Sequence, residues 1–503
     1  MIAGDRASRL LKAVIRHADF VLRHAVDRAG GTPLFVNAVA AADGAPVRHD
    51  YDHVDRRALL ASPASQQHWL RALAALSVLT GDPGYREAAE AVFRHLLQSC
   101  TDASGLIYWG GHTAFDLENR RFAFAPDKAK VHELKCHYPD YGLMWSADPE
   151  GTKRYVEAMW NAHILDWKKL DFNRHGPYGT PRGPVWKHVY AGGSVFFWGK
   201  GLTFVNAGSD LYYGAAMLAK LSGDSAPLVW AKRLAGRYVE TRRDGIGISG
   251  YQFSQSANSW CAGPAVRGDR AQYQIAPLVP ADRLVYESTL FKPVPAVVRC
   301  QLVIGETLGD EGAEFARWAC EEMAAWGRVA YRRSDNRFTP MLTDGWPLEG
   351  LVLDRRGYFG PKGKTISAIP AGADFLWMYA MGYRSTGDPF LWRMARDIGR
   401  GIGIGDIGER DGEDADLAPE RAPLAATAEE CRIMYGLLEL HRATGRPDLL
   451  DAAFRAAKRC LAAHEREGRF EGGGIVFTDD PAPLSLLHVA AVSIGVDLAT
   501  AFR

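Results

Sequence analysis

Six of the 15 histidines in this 503-residue chain, His112, His132, His137, His163, His175 and His188, fall within 77 residues. An even spread would put about two there. The excess is accompanied by carboxylates, guanidiniums and aromatic rings in the stretches YWGGHTAFDLENRRF, KVHELKCHYPDYGLMW and KKLDFNRHGPYGTPRGPVWKH. Side chains of these types in one region are the material of a metal centre or of a site for a polar ligand. The segment KVHELKCHYPDY reads as helical, and on a helix residues four apart share a face. Glu133 with His137, or His132 with Cys136, are then two mutually exclusive ligand pairs, and spacing does not choose between them. A His-Cys zinc site needs more thiolate than the lone Cys136 offers, which favours the oxygen-nitrogen set.

Three of these motifs stand at a defined spacing: GGH ends 21 residues before Glu133 of HELKCHYPDY, and LDFNRHGPYG follows. In this pattern the chain resembles the pectate lyases of polysaccharide lyase family 2, metal-dependent enzymes with an (α/α) barrel. The resemblance implies two histidines and a glutamate as metal ligands, here His112, Glu133 and His175. It also implies that an arginine beside one of those histidines, here Arg174, is the Brønsted base.

The chemistry of uronate β-elimination explains why such residues are needed. The proton on C5, next to the C6 carboxylate, is removed and the glycosidic oxygen leaves C4. The carboxylate's own charge makes that proton hard to remove, and a divalent cation on it offsets the charge, a Lewis-acid effect worth several kcal/mol. Two imidazoles suit a first-row transition metal, with Mn, Co or Ni expected ahead of Ca, whose preferred ligands are all oxygen. Arginine is an unusual base, since its free pKa is about 12.5 to 13.8. That affinity matches a weak carbon acid; the plainer role for Arg174 is pairing with a substrate carboxylate. Lys135, Tyr178, Arg182 and Lys292 are further candidates for binding uronate carboxylates or covering sugar rings. Trp109, Trp186 and Trp198 are candidate stacking platforms, with packing between helices as the alternative for each.

The elements that must position these residues show internal repetition. An apolar helical stretch ends in a Gly-Asp or Asp-Pro turn and a second amphipathic stretch follows. Such turns occur at Gly81-Asp82, Asp148-Pro149, Gly223-Asp224, Gly309-Asp310, Gly387-Asp388 and Gly445. Gly ends one helix in the left-handed conformation and Asp or Pro starts the next. The wide spacing predicts an all-α fold, an (α/α) barrel or toroid of about seven helical hairpins with long rim loops and minor β structure. An opening helix Arg9 to Val26 and a closing one Leu484 to Ala501 complete it, so that residues 1–503 form a single catalytic barrel domain. The long loops are 105–128, 171–204, 245–270 and 334–367, and 401–426 reads as a mobile acidic excursion. Within it, Gly403-x-Gly405-x-x-Gly408 has the dinucleotide spacing, but no strand precedes it and acidic residues follow, so a loop is expected. His49 and His53 read as surface residues, and Ser209-Asp210 as a helix N-cap.

Bulk properties exclude other classes. Lys plus Arg is 60 and Asp plus Glu 59, so no overall charge recruits nucleic acid or an anionic membrane. No run reaches the roughly 18 apolar residues of a membrane span, and the N-terminus lacks the apolar core of a signal peptide. The seven cysteines include no CxxC pair, and a reduced, cytoplasmic protein is expected. The substrate implied is an oligogalacturonate or related uronic-acid oligosaccharide attacked from one end. Competing readings are a glycoside hydrolase or sugar epimerase on the same kind of toroid, for which Asp116, Asp140 and Asp374 are candidate carboxylates, and a non-catalytic helical scaffold.

Overall fold

The computed structural model describes residues 2–48, 58–110, 113–124, 130–256, 293–352, 361–417 and 427–498. Among them are fourteen α-helices: α1 (Ile2–His24), α2 (Gln67–Thr80), α3 (Pro83–Ser99), α4 (Tyr141–Ala147), α5 (Pro149–His163), α6 (Val205–Ser222) and α7 (Ala226–Val239). The second half holds α8 (Pro293–Leu308), α9 (Ala313–Val329), α10 (Ala373–Thr386), α11 (Pro389–Gly401), α12 (Thr427–Thr444), α13 (Pro447–His464) and α14 (Ala482–Ser493).

All six expected turns join helices. Gly81, Gly223 and Gly387 end α2, α6 and α10 at φ of 76°, 75° and 69°, a region open to glycine at little cost. Asp82, Asp148 and Asp388 accept from the backbone N–H groups of Gly84, Gly151 and Phe390 and start the helices that follow. Each pair therefore folds back on itself, and the pairs close a ring. The even-numbered helices form the inner layer: α4 packs on α6, α6 on α8, α8 on α10, α10 on α12, α12 on α14 and α14 on α2, while α3 bridges α2 and α4. The odd-numbered helices lie outside their partners, with α1 on α14 closing the circle. Inner helices are buried nearly all round, as α14 is from Ala482 to Ala491 and α10 from Phe375 to Tyr383, so their sequences are apolar or small on every face. The fold is the expected all-α toroid of seven hairpins. Its closing helix stops at Ser493, where Gly495 at φ 72° turns the chain away.

Short strands, mostly antiparallel pairs, tie the rim loops together. Thr113–Asp116 pairs with Leu60–Ala61 and with Arg121–Phe124, and Ala38–Ala40 pairs with Ile475–Phe477 across the seam of the ring. The described part of the acidic excursion is a fastened hairpin: Gly405–Asp406 pairs with Asp416–Leu417, and Arg396 and Arg400 hold Asp406. Of its three glycines, Gly403 and Gly408 lie in loops after α11, as expected, whereas Gly405 opens the first strand of the hairpin. No helix among the described residues is long and apolar enough to cross a membrane.

Candidate active site

The α3–α4 and α5–α6 loops meet in one strand pair, and that pair builds the site. Val131–Glu133 runs antiparallel to His175–Pro177 with Glu133 opposite His175. Residues so placed carry Cβ atoms about 4.5–5.5 Å apart on one face. Glu133 Oε1 accordingly stands 3.5 Å from His175 Nε2, and Arg174 Nη2 reaches the same oxygen at 3.4 Å. The Glu133 side chain is only 1% exposed, whereas Arg174 and His175 keep 25% and 31%. The carboxylate is thus withdrawn from water, and His175 Nε2, which faces it, is buried too, while other parts of the Arg174 and His175 side chains keep their exposure. Arg174 also lies over the Phe204 ring, 6.0 Å from its centroid.

This geometry corrects the helical reading of residues 130–141. β-Branched Val131 and its neighbours take up a cross-strand partner far along the chain, and Cys136 and Tyr138 then adopt positive φ of 56° and 39°. Strand alternation, with a period of two, puts Glu133 and His132 on opposite faces and removes the helical premise of both pairs, Glu133 with His137 and His132 with Cys136. Asp210 enforces the turn. Its carboxylate accepts from the N–H of Lys135 at 2.7 Å and of Tyr138 at 3.2 Å. Burial pushes its carboxyl up to about 7, against the pull of these N–H groups and those of Cys136 and His137. Since α6 begins after Phe204, Asp210 lies in its second turn and organises the loop opposite, instead of capping its own helix. Asp210→Asn is expected to destabilise the protein by about 1–3 kcal/mol, since the amide returns a weaker acceptor to a buried set of donors. A lower urea midpoint checks this; an unchanged one would show that the turn holds without the charge.

His132 points away from Glu133, into the core. The Trp109 indole N–H, which can only donate, meets His132 Nε2 at 3.1 Å and the Tyr155 hydroxyl at 2.9 Å. His132 Nδ1–H then donates to His163 Nε2 at 2.8 Å, and His163 Nδ1–H donates to the Asn173 carbonyl at 2.7 Å. Burial lowers both imidazole pKa values, that of His163 to about 3, so the relay stays neutral and keeps its direction. It ends on the residue before Arg174 and fixes the backbone there. Asn173 Oδ1 in turn accepts from the His175 N–H at 3.2 Å.

Gly110 lies against this strand pair at φ 129°, where a Cβ would come within 3.0 Å of the Glu133 backbone nitrogen. Only glycine lets the GGH segment approach so closely. The Thr113 N–H donates to the Gly110 carbonyl at 3.3 Å, and His112, between them in sequence, lies outside the described residues. His137, the alternative partner of Glu133, is held near neutrality of charge by burial, its pKa lowered to about 4; its Nε2 is buried with no hydrogen-bond partner among the described residues.

The other candidates are dispersed. Lys135 is exposed beside the site. The Tyr178 hydroxyl donates to the Ile107 and Trp109 carbonyls at 3.4 and 3.5 Å. Arg182 donates to the carbonyls of Ser104 and Ala103 at 3.1 and 3.2 Å. These two side chains brace the loop leading to GGH. Trp109 is buried in the relay and Trp186 leans on Trp160. Lys292, His49, His53 and the Trp198 side chain lie outside the described residues. Sequence reasoning did not find Asn173 or the roles of Asp210 and His163, because Asp210 and His163 act on Lys135 and His132, 75 and 31 residues away, and Asn173 accepts from His163 through a backbone carbonyl that any residue carries.

Two comparisons of the sequence with known proteins name pectate lyases. The model of the family described as periplasmic pectate lyase matches residues 32–500. A pectate disaccharide-lyase of Dickeya dadantii (strain 3937) is 32% identical over 389 residues, covering 73% of this chain and 70% of that protein. Among solved structures, an unsaturated glucuronyl hydrolase specific for heparin aligns with a TM-score of 0.45 at 12% identity, over 98% of this chain and 100% of that one. The cellobiose 2-epimerase from Bacillus thermoamylovorans B4167 aligns with a TM-score of 0.44 at 10% identity, over 96% and 97%.

Proposed function

We propose, on the premise that this chain belongs to the pectate lyase family and is a polysaccharide lyase, that it removes short unsaturated products from the ends of oligogalacturonides. In this reading Arg174 is the Brønsted base, and a divalent transition metal, when bound, would offset the charge of the uronate carboxylate. The observation that carries it is the register setting Glu133 opposite His175, with Arg174 on the same carboxylate oxygen.

The residues fit an ion in donor chemistry, since a carboxylate oxygen and an imidazole nitrogen face one another at 3.5 Å on a rigid strand pair. Among the described residues no three His, Cys, Asp or Glu side chains group closely enough to hold a metal, and the third proposed ligand, His112, is outside them. Glu133, His175 and His112 would hold the ion, which when bound would offset the C6 carboxylate charge and make the C5 proton more acidic. Arg174 then takes the C5 proton in its deprotonated fraction. The C–H electron pair becomes the C4–C5 double bond, the bond from C4 to the glycosidic oxygen breaks, and that oxygen takes a proton from water. The relay from Trp109 through His163 to Asn173 holds the Arg174 backbone while this happens.

The carboxylates a hydrolase would need are engaged elsewhere. Asp116 accepts from the Glu118 and Asn119 N–H groups, Asp140 caps α4, and Asp374 binds Arg299 and Arg432. A cytoplasmic location is supported by the six described cysteines, all free thiols, although the matching family is described as periplasmic; cell fractionation decides it.

The end-acting mode draws support from the relative, itself a disaccharide-lyase. Polygalacturonate digestion is expected to raise the ultraviolet absorbance of the conjugated product. Chromatography of the earliest samples should give one unsaturated species, a dimer. No absorbance rise would overturn the lyase reading, and an early ladder of sizes would replace end-wise attack with internal cleavage.

A further inference from the structure

Arg174 has two neighbours of opposite kinds. Glu133 Oε1 stands 3.4 Å from its Nη2, and the Phe204 ring centroid lies 6.0 Å from its guanidinium carbon. A carboxylate claims guanidinium N–H groups one by one, whereas an aromatic face attracts the whole cation and leaves its nitrogens to a third group. The construction of that face then decides where the guanidinium sits.

Phe204 is only 2% exposed, and its ring stacks on Tyr251 with centroids 4.9 Å apart and planes 24° from parallel. The Tyr251 hydroxyl donates to Asn206 Oδ1 at 2.8 Å, which fixes the far end of the supporting ring. The backbone is pinned as well. The Phe204 carbonyl accepts from the Tyr238 hydroxyl at 3.3 Å and from the Gly208 N–H at 2.9 Å, and the Val205 N–H donates to the Tyr251 carbonyl at 2.8 Å. Gly208 makes this possible, because a Cβ there would come within 2.2 Å of the Tyr238 hydroxyl. Leu202 forms a β-bridge with Asn173, the residue before Arg174, so the guanidinium and the ring beneath it hang from one backbone frame. The start of α6 also reaches the other side of the site: the Asn206 carbonyl accepts from Cys136 Sγ at 3.3 Å, and Asp210 holds the turn after Glu133. A phenylalanine that only filled space would be served by any apolar neighbour; a parallel ring whose polar end is tied down sets the height and tilt of a face.

We propose that Phe204 is a positioning residue for the elimination: stacked on Tyr251, its ring holds the Arg174 guanidinium at a fixed height beside Glu133 and keeps its nitrogens available for the C5 proton. Phe204 acts through Arg174 and not on the sugar, so the assignment rests on the reading of Arg174 as the base. It also gives Tyr251, from the long loop 245–270, a part in the reaction at one ring's remove.

Initial rates on polygalacturonate test it. Phe204→Leu keeps an apolar side chain and removes the face; turnover is expected to fall about tenfold while the Michaelis constant stays within about twofold, since a small misplacement of a reacting group is costly. Tyr251→Phe keeps the stack but loses the tie to Asn206, and is expected to lose about threefold in turnover. The deciding comparison is made in the Arg174→Lys protein, where Phe204→Leu is expected to cost less than about twofold because the group it positions is gone. Unchanged turnover in Phe204→Leu, an effect confined to the Michaelis constant, or a full tenfold loss in the Arg174→Lys background would overturn the assignment and leave Arg174 as the base. Wild-type turnover in Arg174→Lys alone would remove the base reading and the assignment with it. Should Phe204→Leu melt early, Tyr251→Phe decides, with and without Arg174→Lys.

Discussion

Lysine in place of Arg174 is expected to leave less than about 1% of wild-type turnover while the Michaelis constant for polygalacturonate changes little, since positioned general bases contribute roughly 10²–10⁴-fold. The substitution keeps a positive charge near Glu133, now 3.4 Å from the guanidinium, so the local electrostatics and the fold are conserved. It removes the planar group whose height is set by the Asn173 backbone and whose face lies over Phe204. Initial rates followed by ultraviolet absorbance separate the roles. A loss confined to turnover identifies a group acting in the transition state, and a raised Michaelis constant with intact turnover identifies one that only binds the carboxylate. Wild-type rates in this variant would take Arg174 out of the chemistry.

Chelation is expected to reduce turnover by about 100-fold or more, given the several kcal/mol a Lewis acid supplies to a developing charge. Mn, Co or Ni should restore it better than Ca, because imidazole donors favour the transition metals. Glu133→Ala should lose metal before it loses structure: elemental analysis of the purified variant would show depleted metal while its circular dichroism stays that of the parent. Full activity in chelator, or rescue by Ca alone, would remove His112, Glu133 and His175 as a metal set.

The toroid was legible because helix-helix turns are local chemistry. Gly81 and Asp82, or Gly387 and Asp388, announce a helix end and a helix start within two residues. The site was legible only through the spacing of three motifs. Periodicity misread residues 130–141, since what makes Val131–Glu133 a strand is a partner at 175–177, and what turns the following loop is Asp210 on a helix 70 residues on. Hidden too was what the ring encloses: Arg71, Arg299, Trp377, Arg432 and Tyr435 line one central cavity from four separate inner helices, at no spacing that marks them as one group, and only closure of the ring brings them together.

That closure has a consequence for how the protein is made. α1 packs on α14, and the strands Ala38–Ala40 and Ile475–Phe477 pair, so the first staves of the ring await the last. At about 5–20 residues per second, the ribosome needs roughly 25–100 s to reach residue 482. Throughout that interval the buried stripe of α1, with Leu10, Val14, Ala18 and Val21, has no α14 to cover it. The nascent chain is therefore an open crescent with a sticky edge, and yield in a cell should depend on chaperone capacity and on elongation rate more than on the stability of the finished ring.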